Sequence, residues 1–286
     1  MPLAGAAACA QNCRALIYLQ HIPAPPLDGF IENLWYWEGD APGHAKDTIM
    51  ASSRMSLLIN LRQDRLSWYG GENFGTHNKL KGIALSGNQS GAFAINADQP
   101  HMMGVQFHPG GAFAFLGMPA SEFFNNHVSL EDVWGPEAGR LHERLVQAPT
   151  VADRFEILER ALIALAADRL ERHPAVALAL RRLHGAAPVS IASLAAEAEI
   201  SHKKFIRLFT AEIGMSPKIC LRILRFQRLL RGAWFAENID WAQMAAEYGY
   251  YDQPHLIRDF KAFSGFTPRD WQKRRGPHLQ HVPLME

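Results

Sequence analysis

The side chains best equipped for chemistry in this chain are cations and amides, and they come in two matching sets. His202, Lys203, Ile206 and Arg207 fall in one stretch; Gln253, Pro254, Ile257, Arg258 and Lys261 fall in another. At helical spacing each set shares one face. Guanidinium, ammonium and carboxamide groups on such a face hydrogen-bond guanine and adenine edges and grip phosphates. Ile206 carries no polar group: either it meets a thymine methyl or the first helix reads less sequence. Pro254 likewise offers no side-chain hydrogen bond. These nine residues are the candidate contacts to double-stranded DNA.

Other chemistries are thinly supplied. Cys9, Cys13 and Cys220 are the only cysteines. No second ligand pair follows Cys9 and Cys13, so reduced thiols are the plainer reading. His77, His101 and His108 lack regular ligand spacing and an acidic partner. The His108-Pro109-Gly110-Gly111 turn could aim glycine N–H groups at an anion, yet a strand-to-helix turn needs such residues anyway. Trp35, Trp37, Trp68 and Phe107 could line a pocket; filling the core of a small sheet is the commoner use of such rings. No Ser/His/Asp set, phosphate loop or carboxylate pair stands out. The expectation is a protein with no catalytic residue, no metal and no cofactor.

The elements that must position the two sets are themselves repeated. Ser190–Pro217 and Ile239–Pro268 align: Leu194-Ala195-Ala196-Glu197 with Met244-Ala245-Ala246-Glu247, then Ser201 with Asp252, Phe205 with Leu256, Arg207 with Arg258 and Phe209 with Phe260. Gly214, Ser216 and Pro217 align with Gly265, Thr267 and Pro268. Each copy predicts two helices meeting at a short turn. Ser190 and Asp240 cap the first helices, Ser201 and Asp252 the second. Gly214 and Gly265 end the second helices in a left-handed conformation. The small pairs Ala195-Ala196 and Ala245-Ala246 predict a close helix crossing, as in a helix-turn-helix. Between the copies, 217–231 predicts a linking helix of roughly 22 Å. Arg222, Arg225, Arg228 and Arg231 recur along it, and a solvated face is the plainer reading of that series.

The charge distribution agrees with this division. The 286 residues carry a net +1. Residues 1–173 hold 13 Lys+Arg against 18 Asp+Glu, a net −5; residues 174–286 hold 16 against 10, a net +6. A basic back half suits a polyanion. At 48% hydrophobic and 20% charged the chain has an ordinary globular balance. No stretch nears the ~20 apolar residues that span a bilayer, so no membrane partner is expected. The Ala-rich start lacks a basic flank, so no signal peptide is expected and the cytoplasm is the expected compartment.

Residues 174–275 resemble the DNA-binding domain of the AraC/XylS family of transcription regulators. The specific part is AAEYGYYDQPHLIRDFKAFSGFTPRDW, with its Gly-aromatic turn, Arg-x-Phe-Lys core and Gly-x-Thr-Pro end. Ahead of it, MMGVQFHPGGAFAFLGMPASEFFNNHVSLEDVWG (102–135) and FIENLWYWEG (30–39) resemble an uncharacterised N-terminal domain often found with this DNA-binding domain. A Pro-Asp-Gly turn is usual there; this chain has MASSRMSLLIN in that place.

The expected fold is an α+β N-terminal domain (15–148), a small mostly antiparallel sheet with flanking helices, followed by a helical connector (149–173). An all-α domain with two helix-turn-helix modules and a linker helix (174–276) comes next, then a tail (277–286). Short runs at 34–37, 56–61, 66–69, 82–86, 91–95 and 104–107 predict strands, and 112–116, 121–126 and 151–170 predict helices. The resemblance implies a regulator of transcription that binds an operator. A small-molecule effector and a second copy of the chain are candidate partners, with RNA polymerase a third if transcription is activated. The N-terminal domain either modulates activity or serves only as a protein–protein or dimerisation module with no small ligand.

Overall fold

The computed structural model describes residues 16–40, 43–166, 169–184, 189–236, 238–276 and 278–284. Cys9, Cys13 and the Ala-rich start lie outside the described residues.

Two antiparallel sheets build the N-terminal part. The larger has the strand order β1 (Ile17–His21), β2 (Ile31–Glu38), β9 (His101–Phe107), β4 (Ser56–Asn60), β7 (Ile83–Ser86) and β10 (His127–Ser129). The smaller runs β11 (His281–Leu284), β3 (Lys46–Ile49), β8 (Phe93–Asn96), β5 (Leu66–Gly70) and β6 (Thr76–Leu80). Alternation along the strands of the larger sheet separates its two faces. Leu34, Tyr36, Leu57, Ile59, Met103 and Val105 point to one side and are buried. There they meet Phe115 of α1 (Phe113–Leu116), Leu141 of α3 (Pro136–Gln147) and Leu158 and Leu162 of α4 (Val151–Ala166). The short α2 (Glu131–Trp134) leads into α3. On the other side Trp35, Leu58, Ala84 and Met102 face Leu66 and Leu80 of the smaller sheet. The layers are helices, sheet and sheet.

This is the expected α+β class, built with a second sheet. The strands that complete it carry weak sequence signals: β6 reads THNKL, mostly polar, and β11 contains Pro283. The stretch 121–126, expected as a helix, holds a single 3-10 turn at Ala120–Phe123. Phe124 is extended and Asn125 takes a positive φ of 56°, which no helix continues through. The segment expected as a connector gives Phe155, Leu158, Leu162 and Ala166 to the N-terminal core.

The C-terminal part is helical: α5 (Pro174–His184), α6 (Ile191–Glu197), α7 (His202–Ile213), α8 (Pro217–Phe235), α9 (Trp241–Glu247), α10 (Gln253–Ser264) and α11 (Pro268–Arg274). Phe205, Phe209, Phe226, Phe260 and Trp271 are fully buried at its centre. The Phe226 and Phe260 rings meet edge to face at 5.3 Å, an arrangement aromatic quadrupoles favour. Of the small pairs, Ala195 and Ala245 are buried, whereas Ala196 and Ala246 are exposed. One alanine per copy therefore sets the close crossing.

The segment expected as a tail returns to the N-terminal part. β11 pairs antiparallel with β3, placing Val282 opposite Thr48. Val282 is fully buried and packs in the core of the helical part. One short strand thus belongs to a sheet of one part and a core of the other. Val282→Asp, which places an unpaired carboxylate in that core, is expected to lower stability by about 3 kcal/mol or more. Urea unfolding would check this; an unchanged midpoint would show that β11 supports neither part.

Candidate nucleic-acid interface

The two sets of candidate contacts sit at equivalent places on α7 and α10. Ser201 Oγ accepts from the Lys204 N–H at 3.2 Å, and an Asp252 carboxylate oxygen accepts from the His255 N–H at 2.7 Å. These caps satisfy donors that a helix start leaves free. His202, Lys203 and Arg207 are exposed on α7, and Gln253, Pro254, Ile257, Arg258 and Lys261 on α10. Ile206 is half-buried, so part of its surface is already spent on packing. Neither Arg207 nor Arg258 makes an ion pair among the described residues. Tyr251, which the sequence reading left out, is 93% exposed beside the Asp252 cap. Its signal was hidden because Tyr248, Tyr250 and Tyr251 look alike in sequence; only Tyr250 is buried.

An ion pair adds to the aromatic packing that joins the linker helix to the second module. Arg222 Nη2 donates to Asp259 Oδ1 at 2.6 Å, and the guanidinium also lies over the Phe263 ring at 5.1 Å. Asp259 is only 2% exposed, so Arg222 supplies its compensating charge. Arg225 stacks over the Tyr250 ring at 5.3 Å, while Arg228 and Arg231 are exposed. The arginine series is therefore not one solvated face: two members are held against the second module.

Both modules dock on the N-terminal part by the C-terminal ends of α7 and α10. Gly214 and Gly265 close these helices with left-handed φ values of 96° and 79°. A side chain at Gly214 would run into Asn88, Met55 and the Ala120 carbonyl. Gly265 faces Ala92 and Phe74. Beside it, the Ala51 N–H donates to the Phe263 carbonyl at 2.8 Å. The segments carrying these contacts, 50–55 and 88–92, are themselves joined by paired hydrogen bonds between Ser52 and Gln89. Next to the first docking point Arg172 donates to the Pro109 carbonyl at 2.9 Å and lies 3.6 Å from Glu212. The His173 N–H donates to the same carboxylate at 3.2 Å. Burial lifts the Glu212 carboxyl to about 6, outweighing that hydrogen bond and Arg172. The docked ends leave the N-terminal turns of both helices open.

Residues 194–274 match the family described as Helix-turn-helix domain, and residues 19–129 match the Domain of unknown function (DUF6597). The chain carries a helix-turn-helix domain. No curated protein matches it. Among solved structures, a transcriptional regulator with an AraC-type DNA-binding domain from Chromobacterium violaceum is 21% identical. The match covers 36% of this chain and 94% of that one, with a TM-score of 0.34. The C-terminal domain of AraT, a response regulator from Geobacillus stearothermophilus, is also 21% identical, covering 37% and 89%, with a TM-score of 0.34. ToxT from Vibrio cholerae strain SCE256, in its unsaturated fatty acid bound form, is 10% identical over 92% of this chain and 97% of that one, with a TM-score of 0.42.

The features outside the helix-turn-helix domain take structural places. The turn at 108–111 is a docking point: Pro109 receives Arg172, and Gly110 abuts Ile213 at the end of α7. Phe107 is buried in the helix-side core, Trp35 and Trp37 pack between the sheets, and Trp68 lies 4.6 Å from the His127 ring. Burial lowers the His127 pKa to about 4. His77 stacks on Tyr69, and His101 Nε2 lies 2.8 Å from the Tyr36 hydroxyl; these two sit in different sheets. His108 lies beyond the far end of β9 from His101. No group of three potential ligands could hold a metal among the described residues. Cys220 is fully buried in the helix-turn-helix domain, and burial pushes its thiol up to about 12. No described helix is long and apolar enough to cross a membrane.

Two outcomes test these contacts. Because the folded Glu212 carboxyl lies near 6 and its ordinary value near 4.5, the folded protein holds this proton more tightly than the unfolded chain. Its contribution is complete below pH ~4.5 and falls as pH rises through ~6, by up to about 2 kcal/mol. Urea midpoints from pH 4.5 to 7.5 are expected to shift in favour of Glu212→Gln relative to the native chain as pH rises; parallel profiles would contradict this. At the other pair, Arg222→Ala is expected to destabilise by about 3 kcal/mol, because it strands a buried carboxylate. Asp259→Asn should cost less, since Arg222 keeps access to water. Thermal unfolding of the two variants would show the order, and the reverse order would refute it.

Proposed function

We propose that this protein is a sequence-specific DNA-binding transcription regulator whose helices α7 and α10 enter successive major grooves. The observation that carries this is the placement of Arg207 and Arg258. They occupy matching positions of a repeat, both exposed, while the opposite ends of their helices are docked on one part of the N-terminal domain. Lys203, Arg207, Gln253 and Arg258 are the polar readers of base edges. His202 and Lys261 reach for phosphates, and Ile206, Pro254 and Ile257 supply apolar contacts. The 19 residues of α8 form a rod of roughly 28 Å between the modules. Successive major grooves on one face lie ~34 Å apart.

The docking makes the N-terminal domain the natural place for control. Any change that moves 50–55 or 88–92 moves both readers. A small-molecule effector of the N-terminal domain would act through that route, and RNA polymerase is the further partner if the protein activates. A second reading has its own observation. The edge strand β1 exposes Ile17, Tyr18 and Leu19, with Leu16 and Ile22 flanking it. Such an edge suits antiparallel pairing with a second copy, and on this reading the domain assembles the protein without a ligand. Thermal-shift screening with metabolites separates the two, because a ligand bound only by the native state raises Tm. Sedimentation at several concentrations reports the assembly.

Binding of the full-length protein to DNA upstream of its own gene tests the main reading. Arg207→Ala and Arg258→Ala should each weaken binding by ~1–3 kcal/mol while leaving thermal unfolding unchanged. Native affinity in both variants would refute the roles given to α7 and α10.

A further inference from the structure

An open cleft of about 670 Å³ lies between the linker helix α8 and the second recognition helix α10. Lys218, Arg222 and Arg225 line it from α8; His255, Arg258 and Asp259 line it from α10. The ion pair between Arg222 and Asp259 neutralises the cleft's one carboxylate. Lys218, Arg225 and Arg258 then face the space with no carboxylate partner among the described residues. The Tyr250 ring, under the Arg225 guanidinium, steadies that cation without cancelling its charge. Leu221 and Ile191 give the cleft an apolar floor. Arg258 belongs both to this wall and to the exposed reading face of α10, so the cleft opens on the side where the readers lie. Sites for small ligands span about 300–1,000 Å³, so the space holds more than one phosphate group.

We propose that this cleft is a phosphate-binding site, with Lys218 and Arg225 as its dedicated cations and Arg258 shared with base reading. Cations around an apolar floor suit a sugar-phosphate or a polyphosphate: the charges take the anionic oxygens and Leu221 takes the apolar edge. The same chemistry has two sources, the DNA backbone and a free phosphorylated ligand. The first rests on the DNA-binding reading above, and the second does not. On the first, the linker helix is part of the interface rather than a spacer.

The test uses the full-length protein and the Lys218→Gln/Arg225→Gln double variant. Arg222 is left in place because it holds Asp259. Affinity for DNA upstream of the gene and for a random duplex is measured across a salt series, and inorganic pyrophosphate is titrated calorimetrically. If the cleft grips DNA phosphates, the double variant's slope of log K against log salt becomes shallower by ~1–2. The affinity then falls by the same factor, on the order of tenfold, on both duplexes, since phosphate contacts carry no sequence information. If native salt slopes persist but pyrophosphate binding is lost in the variant, the cleft serves a free phosphorylated ligand. A variant equal to the native protein in both measurements overturns the proposal. If the native protein binds no DNA, the DNA-binding reading fails by itself, and pyrophosphate alone decides the cleft; binding neither ends both. Should the double variant not fold, Lys218→Gln alone serves, because Lys218 is exposed and the slope change of ~1 remains readable.

Discussion

The C-terminal ends of α7 and α10 are anchored on two short segments of the N-terminal domain, and the orientation of every candidate DNA contact depends on that anchoring. Left-handed glycines make it feasible. At Gly214 the chain must turn and also leave room for Asn88 and Ala120. The Phe263 carbonyl, near the end of α10, receives the Ala51 N–H, so an otherwise free helix acceptor is satisfied by the neighbouring domain. With those ends fixed, capping by Ser201 and Asp252 defines where the open ends begin. The candidate contacts are thus presented by two clamped helices and not by loops.

Buried charge refines the placement. Asp259 and Glu212 are both nearly fully buried, one against the linker helix and one at the junction of the domains. Each has an arginine within reach, Arg222 at 2.6 Å and Arg172 at 3.6 Å. Buried pairs contribute little net stability, because desolvation offsets attraction. Their effect is orientational: a carboxylate that must meet a cation allows few alternative packings. The longer distance at Glu212 leaves burial in control, which is why that carboxyl sits near 6. The junction between the domains is consequently a pH-sensitive contact.

The helical part was largely legible in the sequence because helix signals are local. Ser190, Ser201, Asp240 and Asp252 all cap as their positions imply, and Gly214 and Gly265 terminate as expected. The repeat then multiplied each signal. The nine candidate contacts were found by the same logic, and eight of them are exposed; Ile206 is half-buried. The sheets were harder. THNKL on an edge has no alternating apolar side, and HVPL, far from its partner in sequence, pairs with KDTI only through the folded chain. The docking was invisible for the same reason. Nothing local tells Pro109 that Arg172 will bond to it, or Asn88 that it will lie against Gly214. The basic cleft too needs two helices side by side, so Arg225 reads as a solvated charge until α10 faces it.

On the proposed function, clamping α7 and α10 to one domain makes a geometric demand on DNA: the two must act together, on one face of the duplex. Hydroxyl-radical footprinting of the full-length protein on DNA upstream of its own gene measures that directly. Two protected patches on one face, their centres about one helical turn or 10–10.5 base pairs apart, are the predicted result. A single protected patch, or two patches on opposite faces, would contradict the simultaneous use of α7 and α10.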